Sequence, residues 1–201
     1  MRKEEKTRIS RERILQAAIR EFGKNSYDSG SMNSICIDNG LSKGLIYHNF
    51  KNKEDLYLCA LKRCIEELSG YISREDYEGM ETKEKVLGIQ KKRKEFFNDN
   101  PSLRNLFFYS VYEPPKNLAK EVEEIQREYF DTIASLFSTS KFREGKGLEF
   151  LRDYFVLSAS MVACYTKSKL PEKTEIGVIE EEHEKNLSLF IDVLLFGILE
   201  E

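Results

Sequence analysis

Four prolines and eleven glycines in 201 residues leave long stretches of this chain free of helix breakers. No apolar run approaches the ~20 residues that a membrane span requires, so no membrane partner is expected. Cysteine is sparse as well. Cys36, Cys59, Cys64 and Cys164 form neither a CxxC pair nor a zinc-ligand spacing, and they read as reduced, mostly buried small hydrophobes. The polar start, Met1-Arg2-Lys3-Glu4-Glu5-Lys6, does not resemble a secretory signal, so the expected location is cytoplasmic. Also missing are a nucleophile–base pair, a phosphate-cradling glycine loop and a paired-histidine metal motif. Glu180-x-x-His183 has the spacing of a di-iron bundle ligand pair, but it occurs once and lies in an acidic run. An enzyme is therefore not expected, and neither a cofactor nor a metal is assigned.

Against these absences stand 40% hydrophobic and 33% charged residues, the balance of a globular protein with a well solvated surface. The net charge of −3 is unevenly spread. Residues 1–70 hold 13 Lys and Arg against 10 Asp and Glu, whereas residues 71–201 hold 19 against 25. A basic N-terminal part on an acidic body suits a small module that reads nucleic acid.

The hydrophobic period is helical almost throughout. Ile14, Ala18 and Phe22 recur along the first segment, which follows a Thr7/Ser10 cap region and is expected to end at Asn25-Ser26. Short elements follow at 31–38 and from Lys43 to about Asn49, separated by Asn39-Gly40. Asn52 then caps a helix whose first turn carries Glu54 and Asp55 and which runs to about Ser69. Further helices are predicted at about 82–98, 102–110, 115–137, 147–167 and 183–199, with loops at 138–146 and 168–182. The fold class is all-α.

Two short helices joined at a glycine and preceded by a longer one form the plan of a helix-turn-helix, whose second helix enters the DNA major groove. Cys36, Leu41, Ile46 and Phe50 can pack the pair together. Lys43, Gly44, Leu45, Tyr47 and His48 are then expected to stay exposed, with Lys43 and Lys53 placed for phosphates.

The stretch Gly40-Leu41-Ser42-Lys43-Gly44-Leu45-Ile46-Tyr47-His48-Asn49-Phe50-Lys51-Asn52-Lys53-Glu54-Asp55-Leu56-Tyr57 resembles the signature of the TetR family. Upstream, Arg13-Ile14-Leu15-Gln16-Ala17-Ala18, Phe22, Met32 and Ile35 stand at that family's spacing. The resemblance covers about residues 8–60. It implies a helix-turn-helix DNA-binding domain at 1–51 and a helical effector-binding and dimerisation domain at 52–201, with 52–70 as the connecting helix. It also implies that Ser42, Lys43 and Tyr47 contact phosphate or sugar, that Gly44, Leu45 and His48 approach base edges, and that Lys53 clamps the backbone. Ser31 and Met32 would open the first helix of the motif near the opposite phosphates. Four departures are visible. Leu45 replaces the small or hydroxylated residue common there and offers apolar contact to a thymine methyl. Cys36 replaces a usual Ala, Ser26 a usual Gly, and Gly30 a usual Thr, the last leaving its helix less firmly capped.

In the body, the aromatic residues Phe96, Phe97, Phe107, Phe108, Tyr112, Tyr129, Tyr154, Phe155 and Tyr165 are candidates to line the effector cavity that the resemblance implies. Their excess points to an apolar or aromatic ligand. The last helix is apolar nearly all round from Leu187 to Leu199, so it must be buried on more than one side. Leu187, Phe190, Ile191, Leu194, Leu195 and Ile198, with Leu151, Ser158 and Met161, are the candidate interface of a homodimer. The expected protein is thus a transcriptional repressor that binds near-palindromic double-stranded operator DNA as a dimer and is released by a small effector. The alternative is a helical interaction module that has kept the fold and lost specific DNA binding.

Overall fold

A computed structural model describes residues 3–196, and every regular element among them is helical. In order, these are α1 (Lys3–Ser29), α2 (Met32–Asn39), α3 (Lys43–Asn49), α4 (Lys53–Ile72), α5 (Thr82–Asp99), α6 (Pro101–Tyr112), a 3-10 turn (Lys116–Leu118), α7 (Ala119–Ser135), α8 (Leu148–Lys169) and α9 (Ile176–Phe196). The chain forms two compact units. One comprises the residues up to Leu68 together with Phe96–Gln126, and the other Ser69–Glu95 together with the chain from Arg127 onward.

The first unit is built around α1. Ile14, Ala18 and Phe22 are fully buried, and Ile35, Ile46, Phe50, Leu56 and Leu61 close over the same core. Where α1 meets α6 the backbones nearly touch. A Cβ on Gly23 would overlap the carbonyl oxygen of Ser102 in the first turn of α6. Cys64 of α4 donates from Sγ to the Leu103 carbonyl at 3.3 Å, which fixes α6 on its other side.

α1 departs from expectation at both ends. It begins at Lys3, ahead of the Thr7/Ser10 region, because Lys, Glu and Arg are good helix formers that need no cap at that point. It also continues past Asn25, with a kink at Ser26 (φ 57°, ψ −178°), instead of stopping there. That conformation is one that glycine alone adopts readily, and a residue held in it costs about 1–3 kcal/mol. The departure at Gly30 is coupled to it. The Gly30 N–H donates to the Ser26 carbonyl at 3.2 Å. A Cβ at position 30 would lie 2.7 Å from that carbonyl and 2.8 Å from the Phe22 ring. Threonine has no room there.

In the second unit, α8 packs on α9. The Lys85 ammonium is buried and donates to the Leu136 carbonyl at 3.0 Å just beyond the end of α7, where a cation suits the helix dipole. Two helix boundaries move. Pro114 and Pro115 delay the segment expected at 115–137, so that α7 proper spans 119–135 and Leu136 lies in the following turn. α9 begins at Ile176 rather than 183, taking in Gly177 and the Glu180-Glu181-Glu182 run. Those charged residues read as a loop by polarity, yet they are good helix formers.

Replacing Ser26 with Gly should raise stability by about 1 kcal/mol, because relief of the strained φ outweighs the added entropy of the unfolded chain. Gly30→Ala should lower stability by a similar amount or more. Urea unfolding midpoints of the two variants check both signs.

Candidate nucleic-acid interface

α2 and α3 are short, and helices of this length are marginal without external support. Each has a serine N-cap. Ser31 Oγ accepts from the Asn33 and Ser34 N–H groups at 3.1 and 3.5 Å, and the Ser31 N–H donates to Glu21 at 2.9 Å. The start of α2 is therefore capped despite Gly30, one residue later than the departure from the family pattern suggested. Ser42 Oγ accepts from the Leu45 N–H at 3.1 Å, a bond worth about 1 kcal/mol to α3. Between the helices Gly40 takes the left-handed conformation (φ 59°), and the following Leu41 N–H returns to the Cys36 carbonyl at 2.9 Å.

Cys36, Leu41, Ile46 and Phe50 are buried and pack the motif. On the opposite face of α3, Lys43, Gly44, Tyr47 and His48 are exposed, Tyr47 by 54%. Nothing lies within 4 Å of the position that a Gly44 side chain would take, so the backbone is open to a close approach. Leu45 is half-buried, because it lies nearer the packed face than the period suggested. Ser31 and Met32 are also half-buried, and Ser42 is exposed. Lys53, at the start of α4, stands 4.5 Å above the Tyr27 ring. That ring meets Tyr57 edge-on at 4.9 Å, and Tyr57 in turn meets Phe22 at 5.3 Å. The Lys53 ammonium is thus held by an aromatic stack that continues into the core of this unit.

Sequence reasoning missed how the arginines of α1 are used. Arg11 donates to the Asn49 carbonyl at 2.5 Å and stacks on Phe50 at 4.1 Å. Arg13 donates to the Asn39 carbonyl and Arg20 to the Asn39 Oδ1, both at 2.7 Å. Between them, Glu12 accepts from Arg63 of α4 through both its oxygens, at 2.8 and 3.0 Å. The Arg63 guanidinium, followed by Gln16, holds the Glu12 carboxyl below the usual carboxylate range. No periodicity marks these bonds, since their acceptors are helix-end carbonyls and side chains distant in sequence.

Of the aromatic residues expected around an effector, five form one interlocked group in the first unit. Phe97 lies 5.8 Å from Phe96, 5.2 Å from Phe107 and 5.8 Å from Phe108, and Tyr112 stacks on Phe108 at 6.4 Å. The others belong to the second unit. Tyr129 is buried, its phenol pushed up to about 12 by desolvation. Tyr154 and Phe155 are half-buried on α8, and Phe155 meets Phe137 at 5.9 Å. Tyr165 is 51% exposed under the Lys169 ammonium, so it faces outward rather than lining an interior.

The expected interface residues are also mixed. Met161 and Leu194 are 55% and 48% exposed. Leu151, Leu187, Phe190, Ile191 and Leu195 are half-buried. Ser158 is buried, donating to the Tyr154 carbonyl at 2.7 Å. Ile198 lies outside the described residues. Of the cysteines, Cys36 and Cys64 are buried, Cys59 is half-buried, and Cys164 is exposed against expectation, on the outer side of α8.

His183 sits in a polar interior. Arg93 of α5 is buried, bridging Gln90 Oε1 at 3.2 Å and Glu184 Oε1 at 2.5 Å. Burial, and then the facing Arg93 guanidinium, push the imidazole down to about 4. The same guanidinium opposes a metal ion at the Glu180-x-x-His183 pair, because it repels a cation.

A glycine-turned pair of short helices, an exposed polar second helix and a supporting long helix make up a helix-turn-helix. Residues 14–59 match the family model of bacterial regulatory proteins, tetR family. Over that segment, under a quarter of its length, the chain is similar to the TetR family. It is 45% identical over 47 residues to the HTH-type transcriptional regulator UidR of Escherichia coli, a match that spans 24% of that relative's length and 23% of this chain. It is 24% identical over 146 residues to the fatty acid metabolism regulator protein of Bacillus subtilis, covering 69% of this chain and 74% of the relative. Among solved structures, FadR from Bacillus subtilis in complex with stearoyl-CoA superposes with a TM-score of 0.66 at 18% identity, covering 93% of this chain and 98% of that one. The fatty acid degradation regulator FadR from Bacillus halodurans gives 0.63 at 17%, over 88% and 97% of the respective chains. These likenesses extend the TetR-type fold over nearly the whole chain.

Because His183 is held neutral in the folded state, unfolding takes up a proton below its ordinary pKa of about 6.5. Its stabilising contribution is complete above about pH 6.5 and declines as the pH falls from there toward 4. Melting temperatures of the parent and of His183→Gln across that range should converge at the acid end. Parallel curves would contradict the assignment.

Proposed function

We propose that this protein is a transcriptional repressor that binds a near-palindromic operator as a homodimer through α3 and releases it when a small apolar-chain molecule binds. The observation that carries the reading is α3 itself. It is a serine-capped helix whose polar face of Lys43, Gly44, Tyr47 and His48 is exposed. Residues 1–51 act as the reading head, and 52–201 hold the effector and join two copies. Lys43, Ser42, Tyr47 and Lys53 contact phosphates, with Ser31 and Met32 beside the phosphates at the other edge of the groove. Gly44, Leu45 and His48 approach bases, where Leu45 suits a thymine methyl.

Support for the dimer comes from the apolar side chains that one chain leaves open along α8 and α9, including Leu157, Met161, Leu189 and Leu194. Isologous pairing would cover them and would set two copies of α3 about one helical turn of DNA apart. The FadR structure in complex with stearoyl-CoA supports a fatty acyl thioester as the class of effector, in keeping with the aromatic side chains of the body. Such a ligand lowers operator affinity only by binding more tightly to the dimer state whose heads are wrongly spaced. The reading is of a regulator rather than an enzyme, acting in the cytoplasm.

Purified protein incubated with fragmented genomic DNA, followed by sequencing of the bound fraction, should enrich a near-palindrome. Stearoyl-CoA should then displace the recovered duplex. Enrichment without displacement would refute the effector class alone. A folded dimer that enriches nothing at low salt would point to the interaction-module alternative. In the same assay, Tyr47→Ala and Lys53→Ala should weaken binding to every duplex, while His48→Ala and Leu45→Ala should mainly change preference among sequences. Uniform loss in all four variants would refute that division of roles.

A further inference from the structure

Resting on the DNA-reading proposal above, we infer that Arg11, Arg13 and Arg20 are positioning residues for the recognition helix. They hold the C-terminal ends of α2 and α3, and they do not serve as phosphate contacts. The three arginines are among the 13 Lys and Arg of residues 1–70, and charge alone would assign them to DNA. Their geometry assigns them elsewhere. Arg13 reaches the carbonyl of Asn39, the last residue of α2, and Arg20 reaches the side chain of the same asparagine. Asn39 is itself fixed, since its Nδ2 donates back to the Ile35 carbonyl at 3.0 Å. Arg11 reaches the carbonyl of Asn49, the last residue of α3, and lies over the ring of Phe50, the buried residue that stops the helix. Asn49 is held in the same way, donating to Leu45 at 2.8 Å.

The physical requirement is clear. The C-terminal carbonyls of a helix carry partial negative charge and lack partners within the helix. The last turn of α2 contains no basic residue, and that of α3 has only His48, which is exposed on the outer face. α1 supplies the missing cations from outside. Because all three come from one helix, the two helix ends are held to a common frame, and the pose of α3 relative to α2 is set by α1. Glu12 of α1 accepts from both terminal guanidinium nitrogens of Arg63, so that frame is also tied to α4.

The test separates positioning from phosphate contact by salt dependence. A duplex recovered by selection with the parent protein and a random duplex of equal length are titrated from about 50 to about 300 mM salt. The proteins are the parent, Arg11→Ala, Arg13→Ala, Arg20→Ala and Asn39→Ala, with Lys43→Ala as a phosphate-contact reference. Melting curves confirm that each is folded at the assay temperature. The arginine variants should lose about tenfold in affinity for the selected duplex. They should lose little on the random one, and their slope of log affinity against log salt should match the parent's. Lys43→Ala should reduce that slope by about one and should weaken both duplexes. Arg20→Ala and Asn39→Ala combined should cost no more than either alone, as expected for partners in one bond. Where an alanine variant fails to fold, Arg13→Lys or Arg20→Lys, each keeping a cationic donor group, takes its place and should recover part of the selectivity.

A slope lowered by about one in each arginine variant, with equal loss on both duplexes, would overturn the assignment. So would unchanged affinity for the selected duplex in a folded variant. If the parent itself bound no duplex, the DNA-reading proposal would fall first, a result distinct from either.

Discussion

Helix α1 must satisfy four neighbours at once, and the rest of the first unit follows from how it does so. One stripe of Ile14, Ala18 and Phe22 is excluded from solvent and forms the core beneath the helix-turn-helix. Gly23 removes the side chain where α6 crosses, so two helix backbones come into direct contact. Glu12 engages α4 and the arginines engage α2 and α3. A bulkier residue at 23, or a shift of α1 by one residue, would break several of these at once. Packing at that density tolerates little adjustment.

The charge distribution of the chain takes on a different meaning in this light. A basic N-terminal part suggests a surface that attracts DNA, but a share of that charge is bonded to carbonyl oxygens within the head. Around the recognition helix, Lys43 and Lys51 are exposed and Lys53 is half-buried. Lys53 is held at the end of an aromatic stack, which limits its freedom and so lowers the entropy lost when it engages a partner.

The second unit is organised by other means. Polar groups run through its interior: Lys85 at the end of α7, Arg93 between Gln90 and Glu184, and Asn186 donating to Thr166 at 3.0 Å. Buried groups of this kind are costly unless bonded, and their directional demands restrict how α5, α7, α8 and α9 can be arranged. The apolar outer sides of α8 and α9 make no such demand within one chain, which is why so many large side chains there stay in contact with solvent.

The sequence alone carried the all-helical class, the order of the helices, the limits of α3 at Lys43 and Asn49, and the buried set of the turn. These follow from local rules: a 3.6-residue period, a serine cap, and a glycine where a left-handed residue is needed. The family pattern was legible for the same reason, since its spacing is the spacing of one short motif. Tertiary structure decided the rest. Ser26 carries on a helix that local chemistry would end, and Gly30 is small because the Phe22 ring and a carbonyl fill the space that threonine needs. The five-ring group around Phe97 and the outward-facing Tyr165 have similar sequence surroundings and opposite fates. The arginines of α1 look alike in sequence as well, and only the approach of helix ends from residues 39 and 49 gives them their partners. A one-dimensional pattern records which side of a helix is apolar. It does not record which distant carbonyl will arrive beside a given guanidinium, because that depends on the packing of every helix in between.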